Sequence, residues 1–497
     1  MIAGILLTIA FIIAVGLWAG RKATTADAFT DGGGKAGSWM VCGTLMGTLI
    51  SGQATVGSAQ LAFAFGVSAW WFTIGAALGA LVLALFFVKP LRHSGSVTLM
   101  EIIGKEYGKK AETLGSCLCV IGMFISIMAQ IIASSALLTT IFPSMAFLPA
   151  SLIAMGLMIV YVAFGGLWGT GMGGIVKLLL LYLSATVVGV AVWHLGHGFG
   201  GLVDSITWLH TDTTVGKVHR LSSEMEVRHQ YGNFLARGPM KDIGSCLSLI
   251  LGVLSTQTYA QAIWSARSDR SARRGALLSA LFIPPIGAAC TLVGMYMRAN
   301  YVTADEWQQL QQLGAALPQG MGVMQSSVQA FPVFVTQHMP GFFGGVVLGT
   351  LFITIVGGGS GLTLGASTIL MRDLVHPVQQ KLSMRRRKAV PEPRLWQSRL
   401  MIVLLLVVAV AISTTITGSF LNDLGFLSLG LRASSVLAPL LAALFFPRRF
   451  KTGYVLASMV AGTLMMLVAK LALLPGDPVF WGMGVAILLV ALGWKKR

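Results

Sequence analysis

No aspartate or glutamate lies near the middle of any long hydrophobic segment of this 497-residue chain. Charge of either sign is scarce: 10% of residues are charged and 55% hydrophobic, with a mean hydropathy of +0.79. A soluble domain carries roughly a quarter of its residues as charges, so the shortage excludes one and leaves an integral membrane protein. Cysteine is sparse too. Cys42, Cys117, Cys119, Cys246 and Cys290 have no disulfide or zinc spacing, and Cys117 and Cys119 point to different helix faces. They read as small packing residues, and neither a metal nor a cofactor is implied. No nucleophile–base pair and no appended soluble domain supports an enzyme.

Acidic residues number 17 against 35 Lys and Arg, a net charge of +18. In a soluble chain that excess would suggest nucleic acid. Here the basic residues cluster in Arg21-Lys22, Lys89 to Arg92, Lys105 to Lys110, Arg267 to Arg274, Arg385 to Lys388, Arg448 to Lys451 and Lys495 to Arg497. Every second connection is basic and those between are nearly neutral, which is the positive-inside pattern. Nucleic acid is excluded as a partner.

What the chain does have is glycine, 60 of them, suited to close helix contacts in lipid. With about 20 apolar residues per span, the sequence predicts an all-α membrane protein of about 13 helices, a single transmembrane domain over 1–497. The spans run 2–20, 37–63, 68–90, 113–141, 145–164, 171–195, 242–266, 275–298, 340–371, 398–418, 424–446, 453–474 and 478–494. Charge asymmetry puts the N-terminus outside and the C-terminus in the cytoplasm of a plasma membrane, here a bacterial inner membrane. The first helix lacks a basic leader and a small-residue cleavage site, so it is expected to be retained. Two outer segments, 196–241 and 299–339, are long. Their histidines (His210, His219, His229) fit no metal spacing and suggest a solvated lid. The basic linker 373–397 is expected to touch anionic lipid headgroups.

Spans 2–6 and 7–11 form two sets of five with opposite starting orientation, predicting inverted repeats over 37–195 and 242–446, with accessory helices over 453–497. Such repeats build a solute site at the midplane from interrupted first helices. Span 2 contains LISGQATVGSAQ and span 7 LSTQTYAQAIW, polar stretches inside apolar helices. A plainer reading makes them hydrogen-bonding glue between helices. Lys177, about two turns into the apolar run GGIVKLLLLYLSATVVGVAVW, is the most unusual residue. A cation within a span is functional by default, unless its stem snorkels back to the headgroups.

The stretches SGQATVGSAQLAFAFG, YVAFGGLWGTGMGGIVK, TQTYAQAIWSARSDRSARRGALLSA and GASTILMRDL together resemble the sodium/solute symporter family, with the inverted-repeat fold of the leucine transporter. The resemblance covers most of residues 1–475 and implies a secondary transporter working by alternating access. It also implies a sodium site between the broken helix of the first repeat and the third helix of the second. Its carbonyl positions fall on Gly47 and Ile50, and its adjacent hydroxyl pair on Gly357 and Gly358, counting back from Asp373. A nearby acidic position falls on Gly174. Two hydroxyls and a carboxylate are thus missing, and Lys177 lies one turn beyond Gly174 on the same face.

An ammonium has three donors and needs no oxygen cage, so Lys177 is expected to take the ion's place. The coupling ion is then a proton or none rather than sodium. One alternative is a sodium symporter with a rearranged site using Thr354 or Ser360, and another is a transporter-shaped solute sensor. Candidates to line the solute pocket are Ser51, Gln53 and Gln60, Trp70 and Trp71, Thr256, Gln257, Tyr259 and Gln261, and Arg432 in span 11. The tryptophans can equally be interfacial anchors. An arginine fork suits a carboxylate, which points to a small organic anion or zwitterion as cargo. The competing role for Arg432, pairing with Asp423, is awkward because the two lie on different helix faces.

Overall fold

In lipid every backbone polar group must be satisfied within the protein, so the apolar runs become helices wherever no polar or glycine-rich stretch interrupts them. The computed structural model describes residues 1–20, 34–221, 223–385, 395–415 and 420–495. Arg21, Lys22, Arg386 to Lys388 and the last two residues, all parts of the basic clusters, lie outside the described residues.

The principal helices are α1 (Ile2–Gly20), α2 (Ser38–Leu49), α3 (Ser58–Phe65), α4 (Trp71–Val82), α5 (Lys109–Ile141), α6 (Phe147–Leu195), α7 (Gly198–Thr211), α8 (Pro239–Leu254), α9 (Gln257–Trp264), α10 (Asp269–Asn300), α11 (Gly341–Ile369), α12 (Leu395–Ser413), α13 (Leu421–Arg432), α14 (Thr452–Leu471) and α15 (Pro478–Leu492). Among the described residues, eight helical stretches are long and apolar enough to cross a bilayer. The bent pair α8 and α9, at 47°, makes a ninth, and three shorter apolar helices accompany them.

Two of these stretches differ from a one-run, one-span correspondence. The helical stretch Gln53–Arg92 holds part of span 2 and all of span 3, divided at Gly66. There φ is +56°, and a side chain would strike the backbone of Tyr231, so only glycine makes this turn. The run α6, 49 residues long, covers both spans 5 and 6. It cannot be straight: the Tyr161 hydroxyl packs against Gly173, whereas twelve residues of straight helix span about 18 Å. The run is therefore strongly bent between Tyr161 and Gly173.

The surface is apolar and the interior partly polar. Leu179, Leu183, Leu404, Leu464 and Ile487 are all at least half exposed, while Gln130, Thr256, Gln261 and Thr354 are fully buried. This is the arrangement a lipid-facing bundle needs.

Both first helices of the expected repeats are broken where the polar stretches lie. Helix α2 ends at Leu49, Ile50 is extended (φ −88°, ψ 97°), and helix resumes through Gln53–Gly57 into α3. Helix α8 ends at Leu254, Thr256 is extended (φ −101°, ψ 123°), and α9 begins at Gln257. The basic ends of the two are tied together. The amide of Ala36 donates to Ser265 O at 2.8 Å and that of Arg267 to Ala36 O at 2.9 Å, while Arg92 Nε pairs with Asp269 at 2.6 Å.

The opposite end carries the two long segments. A small apolar cluster of Leu209, Val215, Val302 and Leu310 holds α7 and its neighbours over the bundle, beside a two-stranded parallel pairing of Tyr301–Thr303 with Gly322–Met324. One histidine here is less solvated than the sequence suggests, whereas His229 is exposed. His210 is buried, its Nδ1 bonded to Ile206 O at 2.8 Å and its ring stacked edge-on against His219 and tilted against Tyr231. Burial, then the nearby Arg298 charge, pushes His210 down to about 3. In the unfolded chain it titrates near 6.5. Below that pH the unfolded chain gains a proton that the folded lid refuses, so stability is complete above pH 6.5 and lost as pH falls toward 3. We expect the lid to lose about 2 kcal/mol between pH 7.5 and pH 5, seen as faster hydrogen exchange in α7, with His210→Leu abolishing the pH dependence.

Candidate functional site

The break in the first helix leaves carbonyls of α2 without their helical partners. Lys177 reaches them from α6. Its Nζ donates to Gly47 O at 2.7 Å, to Ile50 O at 3.1 Å and to Thr354 O of α11 at 3.2 Å. All three ammonium donors are therefore used, and the residue is 2% exposed. The side chain does not snorkel. It crosses between three helices because those helices are bare where it passes: a Cβ on Gly357 would sit 3.4 Å from Nζ and 3.9 Å from Gly47 O. Gly357 thus points at the carbonyl cluster, where a hydroxyl side chain would share its space with the ammonium.

The other two replaced positions have packing reasons of their own. A side chain on Gly174 would strike the backbone of Gly43, so α2 and α6 cross here at backbone contact. A side chain on Gly358 would strike Ser51. Thr354 offers its carbonyl to Lys177, and its buried hydroxyl has no partner. Ser360 is turned elsewhere, its hydroxyl donating to Met158 O at 3.2 Å.

Sequence reasoning missed the residue that holds the break itself. Gln130 of α5 accepts from Gly52 N at 2.8 Å and donates to Ser51 Oγ at 3.2 Å. It supplies the partner that the interrupted helix cannot. The signal was available: a glutamine in the middle of the apolar run IGMFISIMAQIIASSALL.

At the second break the cation is Arg432, from the last turn of α13. Nη1 donates to Thr256 Oγ1 at 2.6 Å, Nη2 to Ser428 Oγ at 2.9 Å and Nε to Ser428 O at 3.1 Å. Ser428 Oγ also accepts from Ser126 Oγ at 2.7 Å and donates to Gly122 O. Arg432 is 1% exposed. Asp423 is not its partner; Arg237 takes that carboxylate at 3.6 Å.

The remaining candidates do not form one group. Ser51 and Gln53 are buried at the first break, and Gln53 Nε2 lacks a partner. Thr256 and Tyr259 are buried at the second. Gln261 Nε2 donates to Thr368 Oγ1 at 3.0 Å, which ties α9 to α11. Gln257 faces the basic end, accepting from Leu99 N and donating to Val97 O, both at 2.9 Å. Its amide is used up in holding that connection. Gln60 lies at the lid end, accepting from Leu421 N at 3.0 Å. Trp70 and Trp71 donate to Pro284 O and Phe234 O at 2.8 and 2.7 Å, as anchoring indoles do.

The profile of the sodium:solute symporter family matches residues 29–462. The chain belongs to that family. It is 23% identical over 462 residues to the uncharacterized symporter YwcA of Bacillus subtilis (strain 168), covering 93% of this chain and 83% of that one. It is also 23% identical over 399 residues to the high-affinity choline transporter 1 of Torpedo marmorata, covering 76% of this chain and 62% of the relative's length. In fold it is similar to a substrate-bound, outward-open Na+-coupled sialic acid symporter, with a TM-score of 0.75 at 16% identity and coverage of 100% and 98%. A nucleobase-cation-symport-1 family transporter, MHP1, closed with bromovinylhydantoin bound, matches at TM-score 0.54 and 12% identity over 93% and 92%. The fold is that of the leucine transporter, and this family member is a multi-pass membrane transporter rather than an enzyme.

Replacing Gln130 by leucine keeps the volume near constant and strands the buried Gly52 amide. The expected loss is about 1–3 kcal/mol of stability, measured by denaturant titration of the detergent-solubilised protein.

Proposed function

We propose that this transporter moves a small organic carboxylate or zwitterion by alternating access, without sodium, and that the Lys177 ammonium stands where relatives hold the coupling ion. The observation that carries the reading is the set of three carbonyls from Gly47, Ile50 and Thr354 saturating Nζ. A hard monovalent cation would ask for the same carbonyls, plus hydroxyls that Gly357 and Gly358 lack. Two further points support it. Among the described residues no carboxylate is a polar partner of Nζ, so the nitrogen is shared among carbonyl dipoles alone. Arg432, at the second break, is a second buried cation, its nitrogens bonded to Ser428 and Thr256, whose charge would favour an anionic group nearby. The repeats 37–195 and 242–446 would rock against each other around these two cations, with the basic end in the cytoplasm and the lid outside. A proton carried on Lys177 and simple exchange are both compatible with this arrangement.

A second reading rests on the unpartnered Thr354 hydroxyl, which would suit a sodium ion beside a displaced lysine. One experiment separates the two. In proteoliposomes given a panel of labelled carboxylates and amino acids, uptake should be the same whether the outside cation is sodium or N-methylglucamine. Uptake that needs sodium sinks the first reading in favour of the second.

Removing the tethered charge should reopen the ion's place. We expect Lys177→Ala, and more strongly Lys177→Ala with Gly357→Ser, to gain sodium-dependent thermal stabilisation that the wild type lacks. At 100 times the dissociation constant that gain is about 2.7 kcal/mol. A double variant indifferent to sodium would remove the lysine from the ion's place.

A further inference from the structure

Away from both helix breaks, the buried cation Arg298 keeps donors that no described residue takes up. Arg298, near the lid end of α10, is 1% exposed. Its Nη1 donates to Glu306 Oε1 at 2.8 Å, and its guanidinium carbon lies 4.6 Å from the centre of the Phe63 ring. Among the described residues its Nε and Nη2 have no partner. In arginine these two nitrogens form one planar edge, which grips a carboxylate through two parallel bonds. Glu306 cannot turn to serve that edge. Its Oε1 is taken by Arg298 Nη1 and lies 3.1 Å from His219 Nε2, and its Oε2 accepts from Thr303 N at 2.8 Å. Leaving such donors buried and unmade is unfavourable.

Arg298 borders a cavity of about 390 Å³, together with Gln60, Phe63, Phe65, Ser327 and Phe420. The Phe65 and Phe420 rings lie 6.1 Å apart and form apolar wall. Gln60 is occupied at both ends of its amide, by Leu421 N and, at 3.5 Å, by Ser327 Oγ. The second carboxylate bordering the cavity, Asp305, is solvent-exposed, where water screens it. Arg298 and an aromatic wall therefore border a volume large enough for a small solute, with the Nε–Nη2 edge itself buried.

We propose that this lid-end cavity is a carboxylate-binding site separate from the two helix breaks, with the Nε–Nη2 edge of Arg298 receiving the anion and Phe65 and Phe420 the apolar remainder. Lys177 and Arg432 play no part in it. The probe is benzoate, titrated against the thermal stability of the full chain in detergent. Benzoate should stabilise the wild type, while neutral benzyl alcohol and chloride should not. Arg298→Lys keeps the charge and the Glu306 pair but loses the fork, and should weaken benzoate binding at least about tenfold. Ser327→Trp fills the cavity without touching Arg298; it should give the same loss and decides the matter if Arg298→Lys does not fold. Absence of stabilisation in the wild type, undiminished binding in both variants, or an equal response to benzyl alcohol or chloride overturns the proposal.

Discussion

A helix interrupted inside a bilayer frees carbonyls and amides that have no water to turn to. Much of what distinguishes this protein answers that constraint at two places. At the first break the amide side is met by Gln130 and the carbonyl side by Lys177. At the second, the hydroxyl of the extended residue Thr256 is met by Arg432. Both cations come from helices other than the broken one, so each break is also a junction of three elements. The interruption and its remedy cannot be separated: without the glycines that bare α11 and α6, the lysine stem would have no path to the carbonyls.

The chemistry of the two remedies differs. An ammonium is a compact charge that can divide itself among carbonyls converging from several directions, whereas a guanidinium presents a planar fork. Lys177 uses all three of its donors on backbone. Arg432 uses its nitrogens on a hydroxyl network running from Ser126 through Ser428 to Thr256. The first arrangement is closed by geometry. The second links α5, α13 and the second break through side chains that can re-form their bonds as helices move. In a family named for sodium, the nitrogen at the first break sits on a side chain and is tethered to the backbone.

Polar residues elsewhere are spent on holding the ends of the bundle. Gln257, Arg92 and Asp269 knit the basic end, with Ala36 laid against Ala266. Gln60, Arg237 and Trp71 knit the lid end. Several of these residues look like solute ligands in the sequence, because glutamine and tryptophan serve both purposes and the choice depends on which backbone group lies within reach.

The membrane class, the helical runs, the two breaks and the family were legible from composition, hydrophobic length and the polar interruptions, all of which act locally along the chain. So was the oddity of Lys177, since a charge in an apolar run stands out whatever surrounds it. The partners of that charge were legible only through the resemblance, which named Gly47 and Ile50; Thr354 contributes its carbonyl, not its hydroxyl. Gln130 could be seen as unusual but not placed, and Arg298 drew no notice at the end of its span. Which side chains meet depends on crossing angles and backbone contacts between helices far apart in sequence, such as Gly174 on Gly43 and Gly66 on Tyr231. Those contacts exist only after the bundle has packed, so tertiary structure alone decided them.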